Sequence, residues 1–429
     1  MALEDYEREM NGCIRCSLCK FMPLALIGRE ETSDVCPAVW RHGFHTYSGG
    51  GRVIAANSVR LGRSELSDEL VDIIYRCQMC GACDIPCHTY GQVVEPLQIA
   101  RELRMKCVEE GLAPLEAMVT VDNLGREDNP FGEPKAERGS WAEGLDVRGL
   151  DGGKADVLLH VGCRYSYDES LRPVIRAIAG LLQKAGVDFR AALSEEACCG
   201  GRAFDLGYRG EIEKYADDLA GRVRAVGATK LVTPCGDCYG AFTNQYPTIE
   251  RALEGVEILH VSQLIEQLRG QGVIEPRSEV PKLVTYHDPC HLGRLGEAYE
   301  HWKGEYPAVG GILVPEPDKP KQVGGGGVYD APRALLRSIP GIELVEMDRI
   351  RQYSWCCGAG GGVLESDPDF ARATALERIR EARSTGAEAI VTSCPWCVRN
   401  LRDAQEGSDD IFEVFDVLEL LEKSLGSDF

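Results

Sequence analysis

The sequence predicts a small, mainly helical module followed by two α/β lobes, each built on a parallel sheet. Three observations carry this prediction. Eight cysteines fall within the first 90 of the 429 residues, ten more form two copies of one pattern beyond residue 160, and buried-strand runs alternate with helical runs around both copies. The predicted boundaries are residues 1–122 for the module, 123–153 for a linker, 154–278 for the first lobe and 279–429 for the second lobe.

Composition and charge exclude several classes of protein. With 47 basic and 68 acidic side chains the net charge is −21, which argues against general binding to nucleic acid or anionic lipid. No apolar run approaches the roughly 18 residues that a membrane helix needs, and the first residues are polar and acidic, unlike a signal or transit peptide. We therefore expect a cytoplasmic protein, whose association with a membrane would depend on a partner.

The first eight cysteines form two triple runs, each with one further cysteine. In a reducing cytosol, clustered cysteines are more often metal ligands than disulfides. Two residues between successive cysteines let three sulfurs converge on three irons of a [4Fe-4S] cubane, and the fourth ligand comes from the other run. The predicted sets are Cys13, Cys16, Cys19 with Cys87, and Cys77, Cys80, Cys83 with Cys36. A pair of zinc knuckles is the disfavoured alternative, because zinc sites usually use paired C-x2-C elements.

Helical patterns surround these runs. Apolar periodicity predicts helices near residues 65–76 and 95–107, and a further helix that begins near Arg52. The preceding Gly49-Gly50-Gly51 is expected to break the chain. His88 is expected to be a neighbour of its site and not a ligand, since the cysteines complete both sets. Cys107 belongs to no set, and its place on a helical face predicts a small buried hydrophobe.

The ten later cysteines are a repeat. A single cysteine, an adjacent pair followed by glycine, and a C-x2-C element recur in the same order. The first copy is Cys163, Cys198, Cys199, Cys235 and Cys238, and the second copy is Cys290, Cys356, Cys357, Cys394 and Cys397. The second copy contains an insertion of about thirty residues. We place it in the stretch rich in proline and glycine at residues 303–329, with Gly324 to Gly327 as a flexible connector.

Both copies follow strand patterns that end at a cysteine. The predicted strands are 155–161, 230–233, 282–286 and 388–392, and helical patterns near 170–184, 211–225 and 370–382 alternate with them. Because open α/β sheets gather ligands at the carboxyl ends of their strands, the three cysteine loops of each lobe are expected to converge. Five sulfurs exceed the four that a cubane takes, which favours an unusual cluster with an extra thiolate. Zinc bound by four of the five, or a redox-active vicinal disulfide, is the alternative.

Together these motifs resemble the HdrD type of heterodisulfide reductase and its bacterial relatives, in which a ferredoxin-type module is fused to two CCG domains. The resemblance covers about residues 10–425 and rests on 18 of the 19 cysteines. It implies two [4Fe-4S] cubanes in the module, a noncubane [4Fe-4S] cluster in each CCG domain, and reductive cleavage of a disulfide between those clusters. Both CCG sets are complete, which favours two noncubane clusters over relatives in which one set has decayed. The implied protein is an oxidoreductase acting on a sulfur group, whose cubanes relay electrons to the noncubane pair.

His287, Asp288 and His291 surround Cys290 and are the candidate catalytic residues. Histidine titrates near neutrality, so these side chains could donate protons to the leaving thiolates. The favoured alternative is that they hydrogen-bond cluster sulfurs or cap the helix that follows.

The electron donor is expected to be another protein. No G-x-G-x-x-G fingerprint follows a predicted strand, so the chain is expected to bind neither flavin nor nicotinamide. The resemblance implies a flavoprotein of the same family, an electron-transfer flavoprotein or a membrane cytochrome as donor, and a small-molecule or protein disulfide as substrate. The second functional hypothesis is a non-catalytic electron-transfer component of a larger redox complex, of the benzoyl-CoA reductase or glycolate/lactate oxidase type.

Overall fold

The computed structural model describes residues 2–90, 94–300 and 302–425. Within these residues the N-terminal module packs short helices around one apolar core that includes Val53, Ile74, Leu103 and the fully buried Cys107. The helices are α1 (Glu7–Asn11), α2 (Pro37–His42), α3 (Gly49–Arg60), α4 (Asp68–Tyr75), α5 (Asp84–Thr89), α6 (Pro96–Glu109) and α7 (Leu115–Glu127).

The three consecutive glycines lie inside α3, so the expectation that they break the chain is wrong. Ser48 caps this helix by accepting a hydrogen bond from the Gly51 N–H (3.0 Å). A Cβ atom on Gly49 would stand 2.6 Å from Cys83 Cβ, and one on Gly51 would stand 2.2 Å from the His45 carbonyl oxygen. Glycine is therefore required because the start of the helix approaches the cysteine loops closely.

The first lobe is a parallel sheet flanked by helices. Its strands lie in the order β2-β1-β3-β4, and every neighbouring pair is parallel. The strands are β1 (Val157–Leu159), β2 (Phe189–Ala191), β3 (Lys230–Thr233) and β4 (Glu257–His260). The helices are α8 (Cys163–Tyr167), α9 (Arg172–Lys184), α10 (Gly201–Asp205), α11 (Arg209–Val226), α12 (Gly236–Gly240), α13 (Tyr246–Thr248) and α14 (Val261–Gly270).

The second lobe repeats this topology. Its sheet has the order β8-β5-β9-β10, again all parallel, so both sheets place the second strand beside the first and the third strand on the other side. The strands are β5 (Lys282–His287), β8 (Ile342–Val345), β9 (Ala389–Thr392) and β10 (Glu413–Asp416). The helices are α15 (Asp330–Ser338), α16 (Val363–Ser366), α17 (Pro368–Arg383), α18 (Pro395–Asp403) and α19 (Val417–Ser424).

The insertion in the second lobe packs against the helical module. It contains a short hairpin of β6 (Ala308–Val309) and β7 (Ile312–Leu313). Lys319 forms ion pairs with Glu9 (3.2 Å) and Glu95 (2.6 Å) of the module. The Glu297 carboxylate accepts hydrogen bonds from the N–H groups of Gly324 (2.7 Å) and Gly326 (3.0 Å). The glycine run is held by these contacts, so the expected flexible connector is wrong.

A single apolar core joins the two sheets, including Val157 and Leu159 from the first and Val284 and Ile390 from the second. Across the lobes, the Tyr165 hydroxyl donates a hydrogen bond to Asp416 (2.8 Å). The helical module and the two parallel sheets confirm the predicted fold class. No helix among the described residues is long and apolar enough to cross a membrane.

Candidate metal centres

The first set of cysteines lies at the surface of the module. Burial, Asp84 and the charges of Cys19, Cys13 and Cys16 raise the pKa of Cys87, which places its thiol beside the triple run. Cys16 is exposed, Cys13 and Cys87 are half-buried, and Cys19 is buried. These four cysteines are therefore close enough to form one site with an exposed edge.

His88 follows this set and has both ring nitrogens occupied. Nδ1 is 2.6 Å from the Gln322 carbonyl oxygen and Nε2 is 3.0 Å from the Val94 carbonyl oxygen. The imidazole is thus a neighbour of the site and has no free nitrogen for a metal.

The second set lines one cavity in the module. Cys36, Cys77, Cys80 and Cys83 surround it together with Gly49 at the start of α3. Burial raises the pKa of Cys36 to about 12, while the buried guanidinium of Arg52 opposes that rise. The second set is enclosed where the first set is open on one side.

The first-lobe centre gathers all five predicted cysteines. Hydrogen bonds link the buried thiols in one chain, from Cys163 to Cys198, Cys199, Cys238 and Cys235. The loop after β1 approaches so closely that a Cβ atom on Gly162 would stand 3.0 Å from Cys238 Sγ. The carboxyl ends of the first three strands therefore converge, as parallel topology predicts.

A buried ion pair from the connector covers this centre. Arg138 Nη2 donates to Cys163 Sγ (3.4 Å) and to Glu196 Oε1 (3.0 Å). Glu196 also accepts hydrogen bonds from the N–H groups of Val161 (2.8 Å) and Gly162 (2.9 Å). The pair brings a guanidinium to the sulfurs and holds the loop that carries Cys163.

The second-lobe centre has the same arrangement. Its chain of hydrogen-bonded thiols runs from Cys290 through Cys356, Cys357 and Cys397 to Cys394. The equivalent glycine in each lobe donates its N–H to a cysteine sulfur, Gly358 to Cys356 (3.3 Å) and Gly200 to Cys198 (3.4 Å). Ligand atoms of His287, Cys357 and Cys397 lie within 4.8 Å of one another.

The centres touch one another in a fixed order. Cys80 of the module is hydrogen-bonded to Cys356 of the second lobe. Cys394 of the second lobe is in turn hydrogen-bonded to Cys235 of the first lobe. A Cβ atom on Gly236 would stand 3.4 Å from Cys394 Sγ, so no side chain separates the two lobes at this point. The second-lobe centre therefore lies between the module and the first-lobe centre.

His291 lies in the middle of this arrangement. Its Nδ1 is 3.5 Å from Cys290 Sγ and 3.3 Å from Asp237 Oδ1, and its Nε2 is 3.3 Å from Asp205 Oδ2. Burial opposes protonation, but the negative charges of Cys290 and Asp237 hold the pKa of His291 well above its ordinary value. Both carboxylates come from the first lobe, so the imidazole bridges the lobes beside a cysteine sulfur.

The other two candidate residues are held by arginines. Arg378 Nε donates to His287 Nδ1 (3.1 Å), which leaves the ring proton on Nε2, and burial lowers the pKa of this imidazole. Asp288 accepts two hydrogen bonds from Arg333 (2.6 and 2.9 Å) and one from the Arg351 N–H (2.7 Å). Asp288 is thus fully occupied, and of the three candidates the two histidines contact cysteine sulfurs.

Sequence reasoning missed the buried arginines beside the centres. Arg138 is covered in the connector, and Arg294 donates to the carbonyl oxygens of Cys80 (2.6 Å), Gln352 (2.9 Å) and Ser354 (2.7 Å). No local pattern distinguishes such arginines from the exposed ones, because their burial depends on residues far away in the chain.

The donor sets fit iron–sulfur clusters. Clusters are held by cysteine thiolates, and each chain of five thiols exceeds the four ligands of a structural zinc site. Buried negative charge needs a counter-charge. Arg52 provides it beside the second set, Arg138 beside the first-lobe centre, and Arg294 beside Cys80 and Cys290.

Comparison with known proteins agrees with this arrangement. The family described as a cysteine-rich domain matches residues 157–243 and 284–402, and the 4Fe-4S dicluster domain matches residues 9–90. The HdrD protein of the dihydromethanophenazine:CoB–CoM heterodisulfide reductase of Methanosarcina mazei is 31% identical over 427 residues, which are 97% of this chain and 94% of that protein. The EtfAB:quinone oxidoreductase of Syntrophomonas wolfei is 29% identical over 370 residues, which are 82% of this chain and 47% of that protein.

One solved structure supports the fold alone. A hypothetical protein from Helicobacter pylori superposes with a TM-score of 0.56 at 8% identity, covering 89% of this chain and 68% of that chain. The sequence similarity, in contrast, extends along nearly the whole length and includes both kinds of domain in the predicted order. The chain is therefore a member of the HdrD family of heterodisulfide reductase-type iron–sulfur oxidoreductases.

Proposed function

We propose that this protein reductively cleaves a disulfide at the junction of its two CCG lobes, using electrons that enter through the helical module. When bound, the clusters supply one-electron transfer and irons that capture thiolates. Two [4Fe-4S] cubanes would be held by the module and two noncubane [4Fe-4S] clusters by the lobes. The observation that carries the proposal is the unbroken contact between cysteine sets, through Cys80 with Cys356 and Cys394 with Cys235.

Exposure gives the relay a direction. Cys16 is exposed in the first set, whereas all ten cysteines of the CCG centres are buried. A redox partner can therefore approach the first set most closely. Electrons would pass from there to the second set, then to the second-lobe centre and last to the first-lobe centre.

The chain's own residues would manage protons at the junction. Cleavage of a disulfide releases two thiolates, and His291 is placed to hold a proton on Nδ1 beside Cys290, with Asp205 and Asp237 balancing its charge. His287 would hydrogen-bond Cys357 from the other side. Asp288 would act as a positioning residue, because its bonds from Arg333 and the Arg351 N–H hold the loop between the histidines.

Anaerobic purification followed by iron and sulfide analysis and low-temperature EPR tests this function. Four clusters of four irons predict about sixteen irons per chain. Addition of candidate disulfides to the oxidised protein should produce a new paramagnetic signal from a lobe centre. About eight irons and no disulfide-induced signal would overturn the catalytic proposal and leave only the relay in the module.

The burial of the CCG centres favours a second candidate function. Among the described residues, every CCG cysteine is at most 8% exposed. A centre without direct access for substrate suits electron transfer, so the alternative is a non-catalytic component of a larger redox complex. About sixteen irons with reducible centres but no response to any disulfide would favour this alternative.

A further inference from the structure

The charge of the chain is distributed unevenly around the first cysteine set. Between Glu9 and Glu65, residues 10–64 contain seven basic and only three acidic side chains, a net charge of +4. The whole chain carries −21, so the remaining residues carry −25. The most positive part of the sequence therefore carries the most exposed of the predicted metal centres.

Several of these basic groups face solvent without a counter-charge. Arg29 pairs with Asp348, Arg60 pairs with Glu7, and Arg52 is buried. In the part of the chain that the structure describes, no carboxylate lies within ion-pair distance (4.0 Å) of Arg15, Lys20 or Arg41. Their charge is available to a partner.

Exposed apolar side chains lie among these cations. Ile14 is 67% exposed and Phe44 is 70% exposed. Phe21 and Trp40 are less exposed, and the Lys20 ammonium lies 5.8 Å from the Phe21 ring. Contiguous apolar side chains with a polar rim mark protein-interaction sites.

Contacts connect this surface to the cysteines. Lys20 follows Cys19 directly, and its charge adds to burial in lowering the pKa of His45. The His45 ring stands 3.7 Å from where a Gly50 Cβ would be, and the Gly50 N–H donates to Cys19 Sγ (3.3 Å). The two chain segments that carry the exposed groups, 14–21 and 40–45, therefore meet at the first set.

We propose that this carrier face, formed by Ile14, Arg15, Lys20, Phe21, Arg41 and Phe44, docks an acidic one-electron carrier protein. The inference rests on the proposed function only in that the first set binds a cubane, and it does not require a disulfide substrate. In each encounter the reduced carrier loses one electron and the cubane gains it, with no bond made or broken. The −25 carried by the rest of the chain would repel such a carrier from other orientations, while the carrier face attracts it.

Isothermal titration calorimetry on the iron-loaded chain tests this proposal. The probe is an oxidised bacterial ferredoxin of strongly negative charge, and basic cytochrome c of similar size is the comparison. We expect the ferredoxin to bind more tightly than cytochrome c, with an affinity that falls as salt is raised. Tighter binding of cytochrome c, or ferredoxin binding unaffected by salt, would overturn the proposal.

Two variants separate this face from the rest of the surface. K20E/R41E should weaken ferredoxin binding at least roughly tenfold, while R126E/R277E, at exposed arginines elsewhere, should change it less than about twofold. Equal weakening in both would contradict the proposal. Phe44→Gln, which alters no charge and lies apart from the cysteines, should also weaken binding several-fold and provides the test if K20E/R41E loses iron. Normal ferredoxin binding without disulfide turnover would contradict the catalytic proposal alone.

Discussion

The two lobes share a strand order and a cysteine pattern, yet their candidate centres have different neighbours. The second-lobe centre touches the module through Cys80 and contacts His287 and His291. The first-lobe centre touches the second lobe and the connector, which covers it with Arg138. The equivalent of His287 is His160, whose Nδ1 lies 3.9 Å from Glu196. A duplicated scaffold has thus acquired one intermediate centre and one terminal centre.

The sharpest test of this difference compares equivalent cysteines. Cys356→Ser and Cys198→Ser should each remove one cluster and lower iron from about sixteen to about twelve per chain. Because the second-lobe centre lies between the module and the first lobe, Cys356→Ser should also abolish reduction of the first-lobe cluster. Cys198→Ser should leave the second-lobe cluster reducible. Freeze-quench EPR after mixing with a reduced carrier measures both, and equal behaviour of the two variants would contradict the order.

His291 and His160 sharpen the comparison at the level of protons. His291→Gln should lower the turnover number for disulfide reduction by roughly 100-fold without loss of iron, because it removes a general acid beside Cys290. His160→Gln should have an effect of less than about threefold, since this imidazole does not face the junction. Steady-state kinetics over a range of pH, with iron analysis, separates the two. A similar loss in both variants would indicate that neither histidine delivers the proton.

The ion pair that covers the first-lobe centre should contribute to stability there alone. Arg138→Met leaves Glu196 buried without its guanidinium, which typically costs about 3 kcal/mol. It also removes a positive charge beside Cys163, so the reduction potential of the first-lobe cluster should fall.

Arg138→Met/Glu196→Gln is the matched control for that variant. It should recover most of the lost stability, because no unpaired carboxylate remains. Thermal melting followed by loss of cluster absorbance, with EPR redox titration, provides the measurement. A shift in the second-lobe signal would show that the charge is not confined to one lobe.

The smallest expected effect concerns the residue that ends the fourth strand in each lobe. His260 and Asp416 both cap the helix that follows, and burial lowers the pKa of His260 to about 4 and raises the pKa of Asp416 to about 7. The stability that neutral Asp416 contributes is therefore fully present below its unfolded pKa of about 4 and is lost as pH rises through about 7. The contribution of neutral His260 is present above its unfolded pKa of about 6.5 and is lost as pH falls through about 4.

Asp416→Asn and His260→Asn test this difference in titration. Between about pH 5 and about pH 6.5 the two groups act in opposite directions, because each carries a different charge in the unfolded chain. Asp416→Asn should make the melting temperature rise more steeply with pH in this range, whereas His260→Asn should make it rise less or fall. Differential scanning fluorimetry of the iron-loaded protein is sufficient. The same change in both variants would show that other groups titrate.

Local patterns predicted some elements much better than others. The strand at 230–233 has the predicted limits, and the helices at 209–226 and 368–383 lie within two residues of their predicted ends. The strands β2, β4, β8 and β10 were not singled out, because three or four residues with mixed exposure carry little periodic signal. The glycines of α3 misled the prediction because their reason is a distant neighbour, Cys83, and not a local turn.

The sequence by itself determined the chemistry of this protein. Cysteine spacing is a local property, and it specified two triple runs, two sets of five and one unassigned cysteine. Only the tertiary structure decided how those sets relate to one another. Which sulfurs meet between lobes, which arginines are buried beside them and where His291 lies all depend on contacts between residues far apart in the chain. Such contacts leave no periodic trace, because each partner need only be compatible with its own helix or strand.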